Sequence, residues 1–243
     1  MDSDLFREAE ERALRYLDNL PTRAVAPSKD AMQGLKRLDE PLPETPGDPR
    51  DTIRILDEVG SPATMATAGP RFFGFVIGGA LPVTVAAQWL AAAWDQNVGR
   101  QDITPAASQL EWVALRWLVD LLGLPAGTGA AFVTGASVAN MAALAAGRRA
   151  VLERAGWDVE ERGLYGAPEI QVVVGAEAHP TLTKALGLLG LGRHRVHEVP
   201  VDEQGRMRAD ALPALEGPAI VCLQAGNVNT GAFDPAAEII PKA

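Results

Sequence analysis

The sequence predicts an α/β fold in which a helical N-terminal arm precedes the first part of a mostly parallel sheet domain. Short apolar runs alternate with helical patterns after about residue 130, which is typical of parallel sheets with crossover helices. Residues 1–126 show helical periodicity instead, and the run Leu124-Pro125-Ala126-Gly127 separates the two parts. We therefore predict two domains, 1–126 and 127–243.

Charge and composition exclude several classes of function. The net charge is −9 and there is no basic stripe, so we expect no binding to nucleic acid. The apolar stretch from Phe72 to Trp94 is interrupted by glycines and by Pro82, and we expect no membrane span. The single cysteine, Cys222, favours a reduced, cytoplasmic setting.

The N-terminal part begins with an amphipathic helix that ends near Asn19-Leu20-Pro21. Residues 21–50 are rich in proline and predict an extended, irregular arm with little core of its own. Such an arm becomes ordered by lying on another surface, and we expect that surface to belong to a second subunit. A short helix is predicted from Asp51 to Val59.

The middle of the chain is strongly apolar. Arg71–Gly79 is aromatic and then rich in glycine, which fits either a strand entering a pocket loop or plain core packing. Helical periodicity follows from Val83 to about Asn97 and from about 106 to Leu122, and the apolar side of the second helix is expected to face a core. The side chains predicted to face inward there are Leu110, Val113, Ala114, Trp117 and Leu121.

Four apolar runs predict strands in the C-terminal part: Ala130–Val133, Ile170–Val174, Arg195–Val199 and Ala219–Gln224. Helices are predicted at Val138–Arg154, from Pro180 to near Gly190, at Asp210–Leu215 and from Asp234-Pro235 onward. Small or polar motifs directly follow three of the strands. Because ligands of parallel sheets bind beyond the carboxyl ends of the strands, these motifs predict one binding edge.

The first motif, Thr134–Asn140, leads from a strand into a helix. Free backbone N–H groups and the helix dipole make such a turn suitable for an anion, and Ser137 stands where an N-cap residue is expected. The alternative is an ordinary strand-to-helix turn that binds nothing.

The second and third motifs carry the remaining candidates. His179 directly follows a strand, where an imidazole can stack on a ring or exchange a proton, or simply bond to the backbone of a turn. Asn227, Asn229 and Thr230 are suited to orient a bound ring or phosphate, or to cap a turn. His194 and His197 are expected to be surface or structural residues, and no metal site is predicted.

Taken together, these motifs resemble the group II pyridoxal-phosphate-dependent decarboxylases, enzymes of fold-type I related to aromatic-L-amino-acid and glutamate decarboxylases. The resemblance covers about Pro70 to the last residue, and its order and spacing are specific. The segments that carry it are Arg71–Phe75, Thr104–Glu111, Leu122–Pro125, Phe132–Asn140, Ala178–Ala185 and Gly226–Pro235.

The resemblance implies a fold-type I transferase-like domain that binds pyridoxal 5′-phosphate. It implies that Ala136 and Ser137 hold the cofactor phosphate, and that His179 stacks on the pyridine ring and takes part in proton transfer. Asn229 or Thr230 falls in the polar loop near the cofactor. Phe75 falls in the segment that shapes the substrate pocket, often across a dimer interface. The family is also dimeric with intertwined arms, which agrees with residues 1–126 as a dimerisation segment.

Two departures limit what the resemblance implies. Val138 stands where the family often has an acidic residue, and the family's Schiff-base lysine and its ring-nitrogen aspartate come later than Ala243. Neither Lys184 nor Lys242 matches that lysine, so this chain is predicted to be an incomplete subunit that is inactive alone. We expect it to act as a homodimer or with a complementary C-terminal chain.

The substrate is expected to be an amino acid, and the apolar segment Phe73–Gly79 favours an aromatic or aliphatic one over glutamate. Alternative functions remain within the same fold: an aminotransferase, an aldehyde-forming enzyme or a carbon–sulfur lyase. A further alternative is an inactive fragment that acts only in dimer assembly.

Overall fold

The structure is a computed structural model, and it describes residues 2–243. The chain divides into two compact units, one that extends to Asp95 and one from Gln96 to Ala243. The predicted boundary at 126/127 therefore lies inside the second unit. The role of residues 1–126 as a dimerisation arm stays a prediction.

The first unit is helical. Its α-helices are α1 (Ser3–Asn19), α2 (Lys29–Gly34), α3 (Pro49–Ile55) and α4 (Pro82–Trp94), and a π-helical turn, Leu56–Gly60, follows α3. Helix α1 begins after Asp2, whose carboxylate accepts hydrogen bonds from the backbone N–H groups of the first turn. The arm at 21–50 is less irregular than predicted, because Ser28 caps α2 by accepting from the backbone N–H of Ala31.

The first unit has few buried apolar side chains, and ion pairs connect two of its elements. Asp57, in the π-helical turn, accepts from Arg12 at 2.7 Å and from Arg15 at 2.6 Å, which ties α1 to that turn. Arg12 also contacts Glu8, and the two carboxylates, Glu8 foremost, raise the pKa of its guanidinium. Among the described residues of this unit, the buried apolar side chains are Leu20, Val59 and Ala66.

The second unit contains the sheet. Its α-helices are α5 (Pro105–Leu121), α6 (Ala136–Arg154), α7 (Val159–Arg162), α8 (Pro180–Leu188) and α9 (Ala236–Ile239). Its strands are β1 (Gln171–Gly175), β2 (His197–Val199) and β3 (Ala219–Cys222). The strands are parallel in the order β2-β1-β3, with Val173 opposite both His197 and Val221. The predicted mostly parallel sheet is therefore confirmed.

The alternation of side chains along β1 builds one core on each side of the sheet. Val172 and Val174 pack with Leu144 of α6 and with Leu186 of α8. On the opposite side, Val173 packs with a second set of buried side chains. Its members are Val199, Met207, Ala209 and Ile239.

The predicted strand at Ala130–Val133 is wrong, because this segment has no regular structure and 56% of Phe132 is exposed. A strand requires a neighbour that accepts and donates its backbone hydrogen bonds, and none of the described strands lies beside this segment. The helix predicted at Asp210–Leu215 is only a short 3₁₀ turn, Ala209–Ala211. The last helix starts at Ala236 rather than at Pro235.

The two helices of the apolar middle form as predicted, but neither α4 nor α5 has a buried residue. The prediction that Leu110, Trp117 and Leu121 face inward is wrong, since these side chains are 62%, 67% and 79% exposed. None of the helices described in residues 2–243 is both long and apolar enough to cross a membrane.

Candidate functional site

The N-terminus of α6 offers backbone donors without a cap. Gly135 is the N-cap residue and, having no side chain, leaves the first N–H groups uncapped. Val138 and Ala139 donate to the carbonyl of Gly135, whereas the N–H groups of Ala136 and Ser137 precede the first intrahelical bonds. Both residues are exposed. This turn therefore presents two open donors at the positive end of a helix of 19 residues.

Ser137 is the second residue of α6, not its N-cap as predicted. A Cβ atom added to Gly135 would meet nothing within 4 Å, so open space surrounds the turn. Ser137 therefore lies in the first turn of α6, and its hydroxyl is a further potential donor at this end of the helix.

His179 caps α8. Its Nδ1 atom accepts from the backbone N–H of Thr181 at 3.2 Å and lies 2.8 Å from the Thr181 hydroxyl oxygen. An Nδ1 atom that accepts carries no proton, so the neutral ring bears its proton on Nε2. The side chain is exposed. The capping role and the ring role considered for this histidine are compatible, because they use different nitrogen atoms.

One hydrogen bond connects the helix that starts at the anion turn to the helix that His179 caps. Asn140 of α6 donates from Nδ2 to the Thr181 hydroxyl of α8 at 3.0 Å. The two helices also pack against each other. The structure therefore ties together the elements that carry Ala136, Ser137 and His179.

Asn227 is a functional candidate that the sequence analysis did not single out from its motif. It is 6% exposed, and its Nδ2 atom donates to Glu177 Oε2 at 2.9 Å. Its Oδ1 atom accepts from the backbone N–H groups of Asn229 and Thr230 at 2.9 and 3.4 Å. The Asn227 side chain thus joins the loop after β3 to the loop after β1. The available signal was an amide that directly follows a buried strand.

Thr230 is already engaged in holding these loops. Its hydroxyl donates to the carbonyl of Gln204 at 2.7 Å and accepts from the backbone N–H of Ala232 at 3.2 Å. Asn229 is exposed, and its backbone N–H donates to Asn227. Between the two residues that the resemblance left open for cofactor contact, this geometry favours the side chain of Asn229.

The loop after β2 completes the arrangement. Gly205 has a φ of +73°, and a Cβ atom there would lie 2.3 Å from Asn227 Nδ2 and 2.6 Å from Glu177 Oε2. Asp234 accepts from the backbone N–H of Met207 and of Gln224, each at 2.7 Å. The loops after all three strands therefore interlock at one edge of the sheet. The motifs after β1 and β3 meet there as predicted, but the third loop is the one after β2, which was not among the predicted motifs, and the strand predicted before Thr134 is absent.

Phe75 belongs to the first unit and is 87% exposed, with a φ of +52°. A positive φ is rare for an aromatic residue and indicates a strained backbone. Its role in a substrate pocket stays a prediction.

Comparison with known proteins agrees with this geometry. The family described as "Pyridoxal-dependent decarboxylase conserved domain" matches residues 34–242. The chain belongs to this family. It is 26% identical over 240 residues to an aromatic-L-amino-acid decarboxylase of Bacillus atrophaeus, covering 96% of this chain and 48% of the relative. It is 30% identical to the acidic amino acid decarboxylase GADL1 of Mus musculus, covering 79% of this chain and 36% of the relative.

The fold comparison agrees with the family. The crystal structure of mouse CSAD superposes with a TM-score of 0.84 at 26% identity, covering 98% of this chain and 52% of that one. The resemblance stated from the motifs and the fold-type I α/β class are thereby confirmed. The chain spans about half the length, or less, of the curated relatives it matches.

Proposed function

We propose that this chain provides the phosphate-binding and ring-contacting residues of a pyridoxal-phosphate-dependent amino-acid decarboxylase. The observation that carries the proposal is the uncapped N-terminus of α6, which is joined through Asn140 and Thr181 to His179. Membership of the pyridoxal-dependent decarboxylase family supports the same assignment.

The residues present fit a phosphate ester. The N–H groups of Ala136 and Ser137 and the Ser137 hydroxyl are donors, and the dipole of α6 favours a negative charge at this end. The surrounding space is open on the side of Gly135, so a phosphate can approach the backbone. We propose that these groups bind the cofactor phosphate.

The ring of a bound pyridoxal phosphate supplies the electron sink for the pair left behind when a substrate loses CO₂. His179 presents an exposed imidazole whose Nδ1 atom is used by the helix cap. We propose that its face stacks on the ring and that Nε2 holds or transfers a proton. Asn229 is the proposed polar contact from the loop after β3, and Thr230 holds that loop in place.

The partner and the substrate are part of the proposal. We propose an amino-acid substrate, with an aromatic or aliphatic side chain favoured by the apolar segment that includes Phe75. The relatives named above include one named for aromatic and one named for acidic amino acids. The active form is proposed to be a homodimer or an assembly with a complementary C-terminal chain, and its location is proposed to be cytoplasmic.

The test measures CO₂ release from aromatic, aliphatic and acidic amino acids with pyridoxal phosphate. It compares the 243-residue chain alone with the chain assembled with the C-terminal half of a family member. We expect release from the assembly and none above the cofactor-only rate from the chain alone. Release by the chain alone would refute the proposal that this chain is inactive by itself. Formation of a keto acid or an aldehyde without a matching amine would favour an aminotransferase or an aldehyde-forming enzyme.

A further inference from the structure

We propose that Asn140 and Thr181 are positioning residues that hold the His179 ring in one orientation and one tautomer. The inference rests on the proposed role of His179 in the cofactor site. Its basis is the chain of hydrogen bonds from Asn140 Nδ2 to the Thr181 hydroxyl at 3.0 Å and onward to His179 Nδ1 at 2.8 Å.

Which group donates in each of these hydrogen bonds follows from the number of donors and acceptors that each side chain has. The Asn140 amide nitrogen is only a donor, so the Thr181 oxygen accepts from it. Because the backbone N–H of Thr181 donates to His179 Nδ1 at 3.2 Å, that nitrogen is an acceptor, and the Thr181 hydroxyl 2.8 Å away therefore donates to it. Two donors on Nδ1 leave the ring proton on Nε2.

A helix cap by itself does not require this arrangement. The cap of α8 needs only the backbone N–H of Thr181, whereas the hydroxyl and the Asn140 amide add a second donor on Nδ1. Asn140 lies about one helical turn after Ala136, at the start of α6. The side chains of Asn140 and Thr181 are half-buried, while His179 is exposed. The half-buried pair therefore anchors an exposed ring to the helix that carries the proposed phosphate site.

The consequence is a defined chemical state at the exposed end of the ring. With Nδ1 held as an acceptor, Nε2–H is the only ring donor that faces away from the cap. A proton offered to a bound molecule would come from this atom, and the ring plane would be fixed for stacking. Loss of the Thr181 hydroxyl would leave the weaker backbone contact as the only restraint on rotation.

The experiment observes the imidazole nitrogens directly. Long-range ¹H–¹⁵N correlation spectra of the labelled 243-residue chain, without cofactor, contain signals from three histidines, and His179→Gln assigns the one of interest. The variants are Thr181→Val, which removes the hydroxyl, Thr181→Ser, which keeps it, and Asn140→Ala, which removes its orienting donor. Thr183→Val is the matched control, because that hydroxyl donates to the carbonyl of Pro180 on the same helix.

We expect the wild-type chain to show the Nε2–H tautomer with a hydrogen-bonded Nδ1. In Thr181→Val the Nδ1 resonance should move toward those of His194 and His197, whose exposed rings have no hydrogen-bond partner among the described residues. Asn140→Ala should cause a smaller shift in the same direction. Thr181→Ser and Thr183→Val should keep the wild-type position.

An unchanged Nδ1 resonance in both Asn140→Ala and Thr181→Val would overturn the proposal, as would an equal shift in Thr183→Val. If Thr181→Val does not fold, Asn140→Ala and Thr181→Ser decide the question alone. The measurement uses no cofactor. A failure of cofactor binding would refute the proposed function and leave this result standing, whereas an unchanged ring with normal cofactor affinity would refute only this inference.

Discussion

Two regions of similar hydrophobicity differ sharply in burial. Val172, Val173 and Val174 of β1 are at most 2% exposed, because helices and loops of the same unit cover both faces of the sheet. Helix α5 is also apolar, yet its Trp117 and Leu121 are 67% and 79% exposed. The central strand of the sheet is covered by other parts of the chain, whereas no residue of α5 is fully buried.

This difference in burial between the sheet and α5 matters for the polar edge of the sheet, because that edge is built on the well-packed strands. Glu177, Gln204 and Asn227 follow β1, β2 and β3, and each takes part in contacts between the loops. Since β2 and β3 both pair in parallel with the buried strand β1, the loops after the three strands leave from the same edge of the sheet. These contacts between the loops involve no residue of α4 or α5.

The largest expected effect is on unfolding. Leu186 of α8 is fully buried against the sheet, and Leu186→Ala should lower the free energy of unfolding by about 2–5 kcal/mol through lost contacts and a cavity. The matched substitution in the exposed region, Leu121→Ala, should change it by no more than about 0.5 kcal/mol. Urea denaturation of the two variants and the wild-type chain measures both values. Equal losses would mean that α5 is packed within the chain and would remove the contrast.

A smaller effect is the extra cost of a glycine substitution where the loops interlock. Gly205 and Gly217 both have positive φ values, +73° and +81°, but only Gly205 approaches the Asn227–Glu177 pair. Gly217→Ala should cost about 1–2 kcal/mol from backbone strain alone. Gly205→Ala should cost roughly a further 1–3 kcal/mol, because the added methyl group displaces a buried amide from its partner.

A double variant tests whether the extra cost of Gly205→Ala comes from its contact with Asn227. In an Asn227→Ala background, which opens space beside residue 205, the extra cost of Gly205→Ala should largely disappear. Urea denaturation again provides the measurement. Identical costs for Gly205→Ala and Gly217→Ala would show that the loops after β1, β2 and β3 are not interlocked in solution.

The smallest effect concerns pH and the only cysteine. Burial at the end of β3 raises the pKa of Cys222 from 9.0 to about 11. Because the folded pKa is the higher one, this thiol stabilises the fold fully below pH 9.0, and the contribution is lost as the pH rises toward about 11. The unfolding free energy should fall with pH in that window. Cys222→Ala should remove this component of the slope, and an unchanged slope would place the thiol in water.

The sequence alone predicted the parts of the fold that depend on local pattern. The runs at 170–174 and 219–224 became parallel strands, because each is apolar and bounded by turn residues. Helix α6 was also predicted, although it starts two residues earlier because Gly135 is its N-cap. The strand at Ala130–Val133 failed although its composition is similar. Composition gives a strand its tendency, but a hydrogen-bonded neighbour must supply its structure.

For the candidate site, too, the sequence pointed to some residues but not to the contacts between them. Motif position predicted that the loops after β1 and β3 meet, but not that the loop after β2 joins them. The resemblance pointed to Ala136, Ser137 and His179. The contacts that hold them were not predictable, because Asn140 meets Thr181 only through the packing of α6 on α8. The link from Asn227 to Glu177 also spans 50 residues, so no local pattern reports it.

We propose that the N-terminus of α6 binds the cofactor phosphate without any contribution from the exposed helix α5. The direct test compares the affinities of pyridoxal 5′-phosphate and pyridoxal for the 243-residue chain by equilibrium dialysis. Hydrogen bonds to a charged group contribute about 1.5–3 kcal/mol, so we expect the phosphate form to bind roughly 10- to 100-fold more tightly. Ser137→Ala should reduce that ratio, and Ser108→Ala, in α5, should not. Equal affinities for the two compounds would contradict the account.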